Sequence, residues 1–221
     1  MSLAKVLLLI FGVIFLFVGI GLLFGGGGAL WANSALTDDE GYLTTKTLEI
    51  DQGSYAVVTE PADVDMGSAW VWDWGNLVTF KVEGSNDDPS KNIFIGVAEE
   101  RYLDDYLRDV AHDEVTDFDI RPDRLEYRHI SGDSEPLAPT TQTFWRESAR
   151  GSGTQEVHWE LESGNWVLVL MNEDGSAGID LSVVLGAKVP WLFGVGIGLL
   201  VGGIMVLAIS IIMVYFSVRR S

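Results

Sequence analysis

Three tryptophans at alternating positions, Trp70, Trp72 and Trp74, would project from one face of an extended strand. A row of indoles can stack a sugar ring or another planar ligand, and these three are the candidate ligand-binding residues. The competing role is burial in a core or on a membrane-proximal surface, which aromatic energetics favour because each indole can bury ~150–250 Å2. The acidic pairs Asp63/Asp65, Asp87/Asp88 and Asp117/Asp119 could offer oxygens to calcium, which takes ~6–8 of them. None has the spacing of an EF-hand loop. With 32 acidic residues in the chain, neighbouring carboxylates are commonplace, and no metal is assigned. The histidines are His112, His129 and His158. Their spacing makes neither a His-x-x-x-His nor a His-Glu-x-x-His pattern, and no nucleophile–base arrangement is legible. The expectation is a protein that is not an enzyme and carries no cofactor, with a surface hydrolase as the remotest alternative.

The elements that must hold these residues follow from hydropathy. From Val6 to Phe24 no side chain is charged or strongly polar, and from Trp191 to Phe216 the polar ones are Ser210 and Tyr215. Runs of this length satisfy their backbone groups internally as membrane-spanning helices. The second run, at ~1.5 Å per residue, reaches ~39 Å and crosses a ~30 Å core with tilt. A signal-peptide core runs ~7–15 residues, so the first run reads as an uncleaved anchor, although Ala29–Ala35 leaves cleavage open. Lys5 precedes the first span and Arg219 and Arg220 follow the second. The excess of basic residues there places both termini in the cytoplasm and the central domain outside a plasma membrane, in two passes. Trp31 and Trp191 stand where an interfacial aromatic belt is expected.

The expected organisation is an N-terminal span within 1–31, a water-exposed domain over 32–188, and a C-terminal span with a short basic tail over 189–221. All 32 acidic residues lie between Asn33 and Lys188, against 11 of the 14 lysines and arginines, a net charge of −21. Such a surface repels nucleic acid and anionic headgroups and suits cations, a basic partner or a salt-rich medium. There is no cysteine, which removes disulfides, thiol chemistry and zinc–thiolate sites, and no Asn-x-Ser/Thr sequon.

Within the domain the pattern is mainly β. Strands are expected at Thr45–Ile50, Ser54–Thr59, Ala69–Trp74, Leu77–Glu83, Asn92–Ala98, Val115–Ile120, Arg124–Ile130, Thr143–Glu147, Gln155–Leu161, Trp166–Met171 and Ile179–Leu185. Turn residues separate them, as in Asp51-Gln52-Gly53 and Glu173-Asp174-Gly175-Ser176. Many short strands suggest a β-sandwich, jelly-roll-like, with one short amphipathic helix at Glu99–Val110 whose apolar stripe is Leu103, Tyr106, Leu107 and Val110.

The spans carry a second signal. Gly194, Gly198 and Gly202 recur every four residues, and Gly21 and Gly25 repeat that spacing. Small residues at this interval let helix backbones approach closely, within the chain or between protomers. The run Gly25–Gly28 lacks the Gly-Lys-Ser/Thr ending of a phosphate loop and is expected to loosen or kink the helix exit. No charged residue sits inside either span, which argues against a pore or pump.

The run Ile93–Val115, with Phe144-Trp145 and Gly164–Gly175 ahead of the second span, resembles a group of uncharacterised two-span membrane proteins of actinobacteria and archaea. More loosely, Gly164–Leu185 resembles the closing hairpin of secreted β-sandwich modules such as prepeptidase C-terminal domains. The resemblance implies an anchored β-sandwich and carries no catalytic residue. The expected role is a structural, interaction or accessory subunit of the cell envelope. It would assemble with copies of itself or with another membrane protein; the alternative is an ectodomain that binds a glycan or a divalent cation.

Overall fold

The computed structural model describes residues 3–64, 78–117 and 125–219. The chain divides into two compact units, one made of the terminal segments up to Gly41 and from Val189, the other of Tyr42–Lys188. The described residues hold three α-helices, α1 (Leu3–Leu36), α2 (Glu100–Tyr106) and α3 (Trp191–Val218), and twelve strands.

In the terminal unit α1 and α3 pack against each other. Both are long and apolar enough to cross a membrane, over Lys5–Leu36 and Phe193–Val218. α1 runs unbroken through Gly25–Gly28 to Leu36, beyond the expected limit at 31. Gly26 is held inside the helix by its neighbour, since a Cβ there would stand 2.7 Å from the Gly196 carbonyl oxygen and 2.8 Å from the Leu200 nitrogen.

The central unit contains two sheets. The first joins β1 (Leu43–Thr44) and β2 (Leu48–Gln52) to β12 (Ile179–Lys188), followed by β5 (Thr79–Asn86) and β10 (Gln155–Glu160). The second runs β8 (Glu126–Ile130), β7 (His112–Asp117), β3 (Ala56–Thr59), β11 (Gly164–Asn172), β6 (Ile93–Glu99) and β9 (Glu147–Gly151), with β4 (Ala62–Val64) also on β11. Pairing is antiparallel except between β3 and β7, which run parallel.

Burial explains these strands. In β12 the alternate residues Ile179, Leu181 and Val183 are fully buried while Asp180 is exposed, the period-2 signature of a strand covered on one side. The central strands β6 and β11 are buried on both faces and read as continuous apolar runs. One face of the second sheet sends Val57, Ile95, Val97 and Leu170 to meet Ile50, Val82, Val157 and Leu181 of the first sheet in one core cluster. The opposite face places Ala56, Val58, Phe94, Val167, Val169 and Met171 beneath Leu103 and Leu107 of α2.

The expected apolar stripe of α2 therefore meets the sheet, but the helix is shorter than Glu99–Val110. It ends at Tyr106 with Leu107 as its C-cap, and Asp109, in the turn that follows, adopts a left-handed φ of 63°. The loop after β8 fixes that turn, because Ser134 donates its backbone N–H to the Asp109 carbonyl at 2.8 Å and its hydroxyl to the Asp109 carboxylate at 2.8 Å. The strand expected at Thr143–Glu147 lies instead at Glu147–Gly151. Phe144 and Trp145 are drawn to the aromatic layer around α2, where Trp145 meets Phe94 with ring centroids 4.9 Å apart and donates its Nε1–H to the Pro139 carbonyl at 2.8 Å.

Candidate functional site

The helix pair is built on small residues, but not on the stripe with a period of four. A Cβ added at Gly21, Gly194, Gly198 or Gly202 would meet nothing within 4 Å, and one at Gly25 would touch Leu199 Cδ1 at an ordinary 3.8 Å. Within this chain the closest approach of the two helices is made elsewhere. That contact uses Gly12, Gly19 and Gly26 on α1 against Gly196, Gly203 and Ser210 on α3, each set spaced by seven. A Cβ at Gly19 would stand 2.7 Å from Leu207 Cγ, and one at Gly196 would stand 2.8 Å from Leu30 Cδ2. A seven-residue repeat keeps one seam facing its partner over many turns, whereas a stripe at every fourth residue drifts around the helix. The Ser210 hydroxyl, which is buried, donates to the Gly12 carbonyl at 2.7 Å.

The three histidines are not brought together. His112 and His129 are on paired strands but on opposite faces, since His112 stands across from Ile130 and Asp113 across from His129. His129 Nδ1 lies 2.8 Å from the buried Asp113 carboxylate. His158 is on β10 of the other sheet, exposed as its alternation predicts, with Nδ1 2.9 Å from the Tyr42 hydroxyl and Nε2 2.5 Å from Glu156. Beside Asp113, the Tyr127 hydroxyl is buried and has no hydrogen-bond partner among the described residues. Burial, with the Asp113 charge adding to it, pushes its pKa up to about 12.

Of the acidic pairs, Asp87 accepts from the Ser182 hydroxyl at 2.9 Å. Asp88 takes the Ser90 hydroxyl at 2.6 Å and its backbone N–H at 2.9 Å, and these bonds hold its carboxyl below the usual range. Both serve a surface turn. Trp70, Trp72 and Trp74 lie outside the described residues, as do Asp65 and Asp119.

Two hollows stand out among the described residues. A small cavity of about 30 Å3 between the sheets is roomy enough for a water but exposes only apolar surface. The larger is an open groove of about 430 Å3 on the outer face of the second sheet, between α2 and the β7–β8 hairpin. Val58 and Val167 from the sheet and Leu103 and Leu107 from α2 give it an apolar floor. Its rim is charged. Arg128 donates Nε–H to Glu114 at 2.8 Å, a contact that raises the Arg128 pKa, so this pair is internally neutralised. Arg108 is paired with Asp105. Glu100 accepts from Asn165 Nδ2 at 3.0 Å. His112 Nδ1 sits 2.8 Å from the Val110 carbonyl, which can only accept, so Nδ1 carries a proton. No motif marks this groove in the sequence. Glu114 and Arg128 are brought together by the register of the β7–β8 pair, which sequence spacing does not specify.

No protein-family model, curated protein or solved structure matches the chain.

Proposed function

We propose that this chain is a two-pass membrane protein of the cell envelope. It displays a two-layer, jelly-roll-like β-sandwich on the outer side and acts as a non-enzymatic structural or accessory subunit. The observation that carries this reading is the seam between α1 and α3. Two uncharged helices close upon each other through Gly12, Gly19, Gly26, Gly196 and Gly203, with the buried Ser210 hydroxyl satisfied inside the seam. Such a pair is an anchor with no acidic or basic side chain from Val6 to Leu36 or from Val189 to Val218, unlike a conduction path. Anchored at both ends, the domain between them has little freedom to rotate, which suits a scaffold better than a free receptor. Lys5, Arg219 and Arg220 favour cytoplasmic termini.

The sandwich reading rests on connectivity. β2 leads through Gly53–Tyr55 into β3 of the other sheet, and short links also join β5 to β6, β9 to β10 and β11 to β12. Those four crossings superimpose β2, β12, β5 and β10 on β3, β11, β6 and β9 in order. β7 and β8 extend the second sheet past β3, with Val115 still packed in the shared core cluster.

Native mass spectrometry of the full chain, extracted gently from its own membrane, tests the role. A homo-oligomer or a defined complex with another membrane protein is expected. A protein that is monomeric and alone under extraction conditions that preserve other membrane complexes would overturn the reading.

A further inference from the structure

We propose that the corner of the domain formed by Leu137 and Tyr102 docks a partner protein whose contact surface is an apolar socket ringed by lysine or arginine. The inference rests on the reading of this chain as an interaction subunit and names the surface it uses.

The loop after β8 turns its polar groups inward and an apolar side chain outward. Surface loops commonly leave their carbonyls to water. Here three successive carbonyls are satisfied from within the domain. The Tyr106 hydroxyl donates to Leu137, the Thr141 backbone N–H and hydroxyl donate to Ala138 at 3.0 and 2.7 Å, and the Trp145 Nε1–H donates to Pro139 at 2.8 Å. Pro136 and Pro139 fix φ on either side. The side chain that this frame presents is Leu137, 71% exposed, the most exposed large apolar side chain of the central unit among the described residues.

Leu137 has aromatic company. Tyr106, which holds the Leu137 carbonyl, packs against Phe144 with ring centroids 5.6 Å apart, and Phe144 stacks on Tyr102 at 6.0 Å. Tyr102 is 42% exposed, and the Arg101 guanidinium lies 4.7 Å from its ring centroid. Aromatic and arginine side chains are the common anchors of protein interfaces. A frame fixed before binding also spares the cost of ordering it.

Charge selects the occupant. Arg101 and Arg108 are engaged by Glu99 and Asp105. Asp133 and Glu135, just before Leu137, are exposed, and among the described residues neither forms an ion pair with lysine or arginine. The domain around them carries 32 acidic against 11 basic residues. The corner therefore repels an acidic surface, a second copy of the domain included, and draws a basic one. Apolar contact for Leu137 and Tyr102, with cations opposite Asp133 and Glu135, defines the partner.

The test places photoreactive benzoylphenylalanine at Leu137 of the full chain, and at the exposed Glu160 on β10 as a control, and irradiates the membranes in which the chain is made. One discrete adduct with a different protein is expected from position 137 and none from position 160. In native mass spectrometry of the same membranes, Leu137→Asp and Glu135→Lys are each expected to reduce the complex with that protein at least about fivefold, and Glu160→Lys to leave it within about twofold. All three positions are exposed, and an unchanged thermal midpoint checks that each variant keeps the fold. No adduct, an adduct with lipid or a second copy only, or a complex that either Leu137→Asp or Glu135→Lys leaves intact would overturn the proposal. A complex that survives both substitutions leaves the subunit reading standing and removes this corner as its interface; the absence of any complex removes both.

Discussion

The Ser210 hydroxyl donates to the Gly12 carbonyl at 2.7 Å across the seam between the two apolar helices, linking residues almost two hundred positions apart. The acceptor already belongs to the α1 backbone, so the bond is an addition made possible by the absence of a side chain at Gly12. There a Cβ would stand 2.8 Å from Val214 Cγ2. Ser210→Ala removes the bond and leaves the packing. Interhelical bonds of this kind contribute ~0.6 kcal/mol on average and up to ~1.7 kcal/mol. A loss in that range is expected in detergent-titrated unfolding of the full chain. A larger loss for Ser210→Ala than for Gly19→Leu would contradict the packing account.

The seam also separates two glycine stripes by substitution. Gly19→Leu and Gly203→Leu force side chains into Leu207 and Leu23 and are expected to open the helix pair. Gly198→Leu enters open space and is expected to leave the stability of the pair unchanged. The same unfolding assay decides between them. Greater damage from Gly198→Leu would return the contact to the stripe repeating every four residues.

Tyr127 holds a buried hydroxyl with no hydrogen-bond partner among the described residues, so Tyr127→Phe removes a desolvated polar group and keeps the ring. The substitution is expected to be neutral or to stabilise by up to ~1 kcal/mol in chemical denaturation. It also has a pH signature. The folded pKa of about 12 lies above the ordinary 10, so the neutral phenol contributes fully below pH 10, and that contribution is lost as pH rises through about 12. The wild-type chain should therefore lose more stability than Tyr127→Phe between these values. Parallel curves would show that the Tyr127 environment is wet.

Asn172, fully buried, ties three segments together. Its Nδ2 donates to the carbonyls of Ser176 at 2.9 Å and Gly178 at 3.0 Å, and its Oδ1 accepts from Asn86 Nδ2 at 2.9 Å. The turn from β11 to β12 and the end of β5 thereby share one side chain. Asn172→Ala leaves these partners unsatisfied and is expected to cost ~2–4 kcal/mol. Asn172→Asp, which keeps the size and removes both donors, should recover little of that loss. A thermal midpoint unchanged by either substitution would sink this account.

Gly96 on β6 lies under Trp145, and a Cβ there would stand 2.7 Å from both Trp145 Cε3 and Phe94 Cε1. Gly96→Ala is expected to cost ~1–3 kcal/mol by overpacking. In a Trp145→Ala background the same change should cost less, because the obstructing ring is gone. A double-mutant cycle on thermal unfolding checks this, and strict additivity would rule out the proposed clash.

Several elements could be read without tertiary information, each for a local reason. The apolar runs around Val6–Phe24 and Trp191–Phe216 are long enough that a membrane-spanning helix needs no further argument. Strands such as Gln155–Glu160 and Ile179–Lys188 declare themselves because one covered face imposes a period of two. The Leu103, Tyr106, Leu107 and Val110 stripe marks the buried face of α2 but not its end at Tyr106. The turn that follows is tied through Asp109 to Ser134, a residue far along the chain. Phe144 and Trp145 read as a strand by propensity, but the aromatic layer around α2 offered them more burial than a sheet edge.

The candidate sites divide along the same line. Composition alone determined the acidic surface, the absence of thiol chemistry and the uncharged spans, because these are sums over residues and need no geometry. Which glycines touch was a matter of azimuth around a helix, and two stripes of small residues competed for it. Only the paired helices decided in favour of Gly12, Gly19 and Gly26 over Gly21 and Gly25, since a seven-residue repeat keeps one seam in contact along the pair. The groove beside α2 could not be foreseen for the same reason. Its base and rim come from strands and a helix distant in sequence, and they converge only when sheet register and the early end of α2 at Tyr106 are both in place.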